Sequence, residues 1–237
     1  MSELAYYIPG LLQGLWTTIA IGAVNIVLML LIGLVLLAGI RSGVGWLSRL
    51  TRIFTDLVRA SSIIVVLFWV FYALPLLPGQ IRVSGPVATV LTISIGAGAF
   101  AAEILRSAAN SIPRGQFDAC EALRLGFWQR EWRIVFPQML GLALPSLATL
   151  AAEVFKWSVL GSLVGVPDLI YWGEAARTKT GETLLIYGGL LAVYYILTQA
   201  IFWIFRLAGV RPQPGAQPAG LFRRRRVPDD LGLPFRI

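Results

Sequence analysis

LWTTIAIGAVNIVLMLLIGLVLLAGI, residues 15–40, runs for twenty-six positions without one Asp, Glu, Lys or Arg. A helix of about 20 apolar residues crosses the hydrocarbon of a bilayer. Inside lipid every backbone N–H must find its partner within its own segment, so a run of this kind is a helix. Working outward, four more runs read the same way, at about residues 61–77, 86–105, 145–165 and 183–205. The whole chain agrees: of 237 residues 57% are hydrophobic and 14% charged, where a soluble domain carries about a quarter charged residues. The alternating pattern of a membrane barrel is absent. The expected fold is all-α, a polytopic membrane protein with five transmembrane helices. The leading MSELAYYIPG has no positive segment, and the apolar run behind it is too long for a signal sequence, so the first run is expected to be a retained span.

The net charge of +8 comes from eighteen Arg and two Lys. Arg41, Arg49, Arg52 and Arg59 follow the first run, and Arg106, Arg114, Arg124, Arg130 and Arg133 lie between the third and fourth. Arg206, Arg211, Arg223, Arg224, Arg225, Arg226 and Arg236 close the chain, while the opposite side holds only Arg82, Arg177 and Lys179. The positive-inside rule then puts the N-terminus outside and the C-terminus in the cytoplasm. Topology and lipid headgroups account for the basic excess, and no nucleic-acid partner is expected. Residues 210–237, rich in Pro and Gly around four consecutive arginines, read as a flexible basic cytoplasmic tail that touches anionic lipid or acts as a topogenic stop. Cys120 is the one cysteine and there is no histidine. A disulfide within the chain is excluded, and most nucleophile–base sets and metal clusters are unavailable. No catalytic residue, metal or cofactor is expected, and no G-x-x-x-x-G-K-[ST] loop is present to hold ATP.

About forty residues, 106–144, separate the third and fourth runs, more than a turn needs. In SIPRGQFDACEALRLGFWQREWRIVFPQ, residues 111–138, Phe117, Cys120, Leu123, Phe127 and Trp128 recur near helical spacing opposite Asp118, Glu121 and Arg124. Short helices lying across the cytoplasmic face are expected, either resting flat in the headgroups or serving as a docking element for a cytosolic partner. Glu153 and Lys156 fall mid-span and three apart, on one helical face. Ionisable groups at that depth are costly and are functional candidates. They form a translocation site for a zwitterion or a mutual salt bridge, and the two readings are compatible. Glu103, three residues before Arg106, is expected to pair with it. Gly96 and Gly98, with Ala97 and Ala99, suit close helix packing at an interface between subunits. Trp16, Trp46, Trp69, Trp172 and Trp203 fit an aromatic belt.

At these residues the sequence resembles the polar amino-acid permeases of ATP-binding-cassette importers, which work with an extracytoplasmic binding protein. IPRGQFDAC at residues 112–120 is similar to that family's IPxGQxEAA, and Ile134 and Pro137 stand where its loop ends in I-x-x-P. GAFAAEILR at 98–106 is similar to GAYxAExxR. LLQGLWTTIAI at 11–21 resembles the entry to the family's first span, and LPSLATLAAEVFKWSVLGSLVGVPDL at 144–169 its fourth span and exit. The sequence departs from the pattern in four places. The family's Glu-Ala-Ala is Asp118-Ala119-Cys120, its following glycine is Arg124 with Gly126 two further on, its RGTP is Arg59-Ala60-Ser61-Ser62, and its K-x-T-S-L region is Lys156-Trp157-Ser158-Val159-Leu160.

The resemblance implies a type I importer permease fold with a cytoplasmic coupling segment at about 112–137, its helix over residues 116–130 seated in a groove of a separate ATPase. Gly115, Gln116, Asp118, Ala119, Cys120, Arg124, Gly126, Ile134 and Pro137 would make that coupling. Asp118 would sit near the helix N-terminus, where an acid suits the dipole, and Arg124 could pair with an acid on the ATPase. Glu153, Lys156 and Ser158 would line the translocation path. The implied partners are a cytosolic ATPase dimer, a second permease subunit of the same or a different chain, the binding protein and the bilayer. The implied site is a bacterial inner membrane. The alternative is a structural or assembly membrane protein without a translocation path, which has no need of Glu153 and Lys156 at mid-bilayer.

Overall fold

A computed structural model describes residues 2–207. The predicted tail at 210–237 lies outside the described residues. The path begins with α1 (Ser2–Ile40), α2 (Gly45–Ala60) and α3 (Ile63–Phe68), and continues with α4 (Gly85–Asn110), α5 (Arg114–Ala122) and α6 (Phe127–Arg130). It ends with α7 (Phe136–Trp157), α8 (Leu169–Thr180) and α9 (Thr183–Leu207). Four stretches are long and apolar enough to cross a membrane: Tyr6–Ile40, Gly85–Asn110, Phe127–Val164 and Thr183–Leu207.

The expected second span is the exception. Ile63–Leu76 is too short to qualify alone, but with α2, which it meets at a bend of 96°, it passes as a broken span and makes a fifth candidate. At 1.5 Å per residue its length is roughly 21 Å, against about 30 Å of hydrocarbon. The break falls at Ser61 and Ser62, both in extended backbone. Ser61 Oγ donates to the Val58 carbonyl at 2.7 Å, the local bond by which serine competes with a continuing helix. α2 is an amphipathic helix whose hydroxyl-bearing face turns inward. Ser48 and Thr51 are half-buried and Thr55 buried, whereas Trp46, Leu50, Ile53, Phe54 and Leu57 face outward. A helix that turns its hydroxyls toward its neighbours and its large apolar groups outward is suited to a lipid surface.

Two π-helical turns, Trp69–Ala73 and Glu131–Val135, share one cause. Pro75 and Pro137 each lack an N–H and clash with the carbonyl four residues back. Those carbonyls belong to Phe71 and Arg133, each at the middle of its turn. At Pro137 the wider turn absorbs the clash and α7 runs on, whereas at Pro75 a 3₁₀ turn, Leu74–Leu76, follows and closes the helix. The fourth span therefore starts well before residue 145 and runs as Phe127–Val164.

α4 lies at the centre, against α1, α2 and α7. Its small residues let backbones approach: a Cβ on Gly98 would meet Ile32 Cγ2 at 2.5 Å. Gly96, Ala97, Gly98 and Ala99 are all buried within the chain, so the patch expected between subunits packs inside this one. The buried Asn25 and Ser94 join α1 to α4 through a 2.9 Å bond from Ser94 Oγ to Asn25 Oδ1, a polar tie of the kind helices use in lipid. α8 folds back onto α1. Asp168 accepts from the Tyr171 N–H at 2.8 Å, and the Leu169 N–H donates to Thr18 Oγ1 at 3.1 Å.

Gly98→Val is expected to destabilise the chain by about 1–3 kcal/mol, the usual cost of overpacking, seen as a lower unfolding temperature in detergent. Asp168 gives a pH prediction. Burial raises its carboxyl from 3.8 to about 6, against the opposing pull of the Tyr171 N–H, and Oδ2 has no partner among the described residues. The folded state then holds a proton that the unfolded state has lost between about pH 4 and 6, so stability falls as pH rises through that window. Asp168→Asn keeps a capping side chain and is expected to abolish that slope in thermal melts across it.

Candidate functional site

α5 begins after Pro113, whose carbonyl accepts from the Gln116 N–H at 3.0 Å. Cys120 is buried and Phe117 half-buried, while Gly115, Gln116, Asp118, Ala119, Glu121 and Ala122 face outward. Asp118 is the fifth residue of α5, beyond the first turn where the dipole acts. The expected electrostatic reason for an acid there does not hold. Asp118 makes no ion pair among the described residues, and its carboxylate is open to a partner.

The expected helix over 116–130 is two helices with a left-handed residue between them. The Leu125 N–H donates to the Cys120 carbonyl at 3.0 Å and the Arg124 N–H to that of Glu121 at 2.9 Å, the paired bonds of a Schellman cap. Arg124 supplies the left-handed residue, with φ of 49°. The motif wants glycine there because a Cβ crowds the following carbonyl. The position where the resembled family carries glycine is thus a backbone requirement, which Arg124 meets under strain. Gly126 is extended and opens α6, its N–H donating to Gln129 Oε1 at 3.3 Å.

Arg130 ties this segment together. Its guanidinium lies 5.8 Å from the Phe117 ring centre and 5.4 Å from that of Phe127, within cation–π range. The neighbouring Glu131 receives Arg41 Nη2 on both carboxylate oxygens at 2.9 Å. That pair is 25% and 17% exposed and joins the end of α1 to the foot of α7 across 90 residues. Gln138 Nε2 reaches Gln116 Oε1 at 3.5 Å. Ile134 is half-buried in the π turn and Pro137 exposed in the first turn of α7.

Glu103 and Arg106 pair through two hydrogen bonds of 2.8 and 2.6 Å, as their spacing indicated. Arg59 joins them, 3.9 Å from Glu103 and 5.4 Å from the Phe100 ring centre. The sequence reading missed this link from α2 to α4, and also Arg41 with Glu131, because both join residues far apart in the chain. Lys156 Nζ lies 2.6 Å from Glu153 Oε1, and both side chains are nearly half exposed. Buried Ser158 instead donates to the Phe155 carbonyl at 2.7 Å and opens the 3₁₀ stretch Ser158–Val164. The structure brings Glu153 and Lys156 together and keeps Ser158 apart from them. No group of three metal-ligating side chains occurs among the described residues.

Long apolar helices, a charge pair on one of them and an outward-facing helical segment beside a cluster of arginines are the features of a membrane-embedded protein. Residues 29–208 match the model of the binding-protein-dependent transport system inner membrane component family, and the chain belongs to that family. It is 31% identical over 201 residues to the glutamine transport system permease protein of Escherichia coli (strain K12), covering 84% of this chain and 91% of the relative. It is 29% identical over 216 residues to the L-cystine transport system permease protein of Bacillus subtilis (strain 168), covering 89% and 90%. A probable amino-acid ABC transporter permease of Sinorhizobium fredii (strain NBRC 101917 / NGR234) is 31% identical over 175 residues, covering 70% and 74%. Among solved structures, a chain of an amino acid ABC transporter crystallised with histidines superposes with a TM-score of 0.79 at 20% identity, covering 86% and 94%. A chain of an inward-facing methionine ABC transporter does so at 0.68 and 23%, covering 86% and 98%. The fold is that of ABC importer permeases.

Arg124→Gly is expected to relieve about 1 kcal/mol of left-handed strain. Hydrogen exchange would report it as slower exchange at the Arg124 and Leu125 amides, with the rest of the chain unchanged.

Proposed function

We propose that this chain is the permease subunit of an importer for polar amino acids or amino-acid-like solutes, working beside a second permease subunit, driven by a separate ATPase and fed by an extracytoplasmic binding protein. The observation that carries the reading is α5. It is an exposed nine-residue helix whose two acids, Asp118 and Glu121, are unpaired among the described residues, and it meets the start of the next span through Arg130 over the Phe117 ring and Gln138 at Gln116. A helix so fixed can pass a push from a docked partner into the spans as a rigid body. Its setting among Arg41, Arg114, Arg124, Arg130 and Arg133 supports a cytoplasmic position, with the N-terminus outside and the C-terminus inside a bacterial inner membrane. Family membership favours this reading over a structural or assembly protein.

The amino-acid class rests on the names of the relatives and on the Glu153–Lys156 pair. A zwitterion carries the complementary charges, so its carboxylate can replace Glu153 on Lys156 while its ammonium meets Glu153. Both side chains are turned away from this chain's own packing, toward a path that a second permease subunit would complete.

The permease, its ATPase and binding protein in lipid nanodiscs provide the test. ATPase activity is expected to rise with one ligand of an amino-acid panel, and Asp118→Arg is expected to lower that rise about tenfold or more, as charge reversal does at a docking face. Failure of any ATPase to associate would overturn the proposal. Lys156→Gln and Glu153→Gln are each expected to abolish uptake in proteoliposomes without loss of assembly. Full uptake by the double variant would assign the pair to helix packing alone.

A further inference from the structure

Between the end of α1 and the foot of α7 lies a groove of about 550 Å³, apolar along nearly its whole surface. Leu34, Val35 and Ala38 form one wall, and Trp132, Phe136 and Met139 the other. Its rim is polar and aromatic: Arg41 and Ser42 close it at the turn into α2, with Glu131 and Trp128 opposite. Trp128 and Trp132 are 71% and 61% exposed. Both walls belong to spanning helices, so the groove follows the depth of the membrane.

The groove is lined by one base and one acid, Arg41 and Glu131, and two further bases, Arg130 and Arg133, flank Glu131 in the chain. Arg41 uses only Nη2 on Glu131, leaving Nε and Nη1 without a hydrogen bond among the described residues. Arg130 also leans on Glu131, at 3.3 Å, and Arg133 stands exposed in the same π turn. An apolar slot ending in tryptophans and free guanidinium donors matches one chemistry, an acyl chain below an anionic phosphate. Arginine holds a phosphate by its spare N–H donors, and an indole places its ring in hydrocarbon and its N–H at the headgroups.

We infer that this groove seats an anionic phospholipid of the cytoplasmic leaflet, with a chain between α1 and α7 and its phosphate at Arg41. The assignment to that leaflet rests on the orientation proposed above; binding itself does not. The wall formed by Glu131–Val135 is also the joint between α6 and α7. A lipid in place therefore braces the Arg41–Glu131 link on which the coupling segment hangs, and makes coupling sensitive to leaflet charge.

The test is native mass spectrometry of the purified permease complex titrated with phosphatidylglycerol and with phosphatidylcholine. Phosphatidylglycerol is expected to be retained about fivefold more strongly, the contribution of one arginine near a headgroup. Val35→Trp, at an exposed wall position, is expected to remove that preference. A second measurement needs no groove-filling variant: phosphatidylglycerol brominated in mid-chain is expected to quench the tryptophan emission of the wild type, and to quench it less in a variant with Trp128→Phe and Trp132→Phe. Equal retention of the two lipids would overturn the inference, as would quenching indifferent to both tryptophans. If Val35→Trp keeps the lipid preference and releases the second permease subunit, the groove is a subunit interface and the lipid assignment fails. Each readout is independent of transport and ATPase activity, so its failure leaves the proposed function standing.

Discussion

No backbone donor or acceptor can go unpaired in hydrocarbon without a cost of several kcal/mol. That rule makes each long apolar run a helix, and it governs how the helices are allowed to break. Pro75 and Pro137 each take one donor out of a helix. At each the chain widens into a π turn around the carbonyl that the ring displaces, and past Pro137 the helix runs on. Where a break does occur, at Ser61 and Ser62, the freed groups find local partners: the Ser61 N–H reaches the Leu57 and Val58 carbonyls and its hydroxyl the latter. The 96° bend and the continuity of Phe127–Val164 are two outcomes of one constraint.

The second π turn has a further consequence. By keeping α6 continuous with α7, it makes the exposed segment at the membrane face an extension of a spanning element rather than a loose connection. Arg41 then fixes that extension to α1 through Glu131, and Arg130 bridges Phe117, midway along α5, and Phe127 at the start of α6. A partner that moves α5 acts on the foot of α7 through Arg130 over Phe117 and through Gln138 at Gln116. The same joint forms a wall of the apolar groove, so the groove, the first span and the segment that carries α5 and α6 share one set of side chains.

The sequence made long helices legible because a long apolar run with few charges has one meaning in a bilayer. It also made Glu153–Lys156 and Glu103–Arg106 legible, since a spacing of three residues on a helix brings side chains together. Arg59 with Glu103 and Arg41 with Glu131 were illegible, because those contacts depend on how helices pack across the chain. α8 was missed for a different reason: its twelve residues carry Glu174, Arg177 and Lys179 and show no long apolar run. It is held by tertiary bonds to Thr18 and by Trp172 lying over Gly10. Arg124 was noticed as a departure from a glycine pattern, but only the backbone shows that glycine is wanted there for its left-handed conformation.

The central claim is that α5 is the surface on which the ATPase seats, on the cytoplasmic side. The most direct measurement is site-specific photo-crosslinking in intact cells expressing the permease with its ATPase. A photoreactive residue at Ala119, exposed on α5, is compared with one at Leu184, 90% exposed in the first turn of α9. The account predicts an ATPase adduct from position 119 and none from 184. An adduct from 184 with none from 119 would contradict it, reversing both the docking surface and the orientation of the chain.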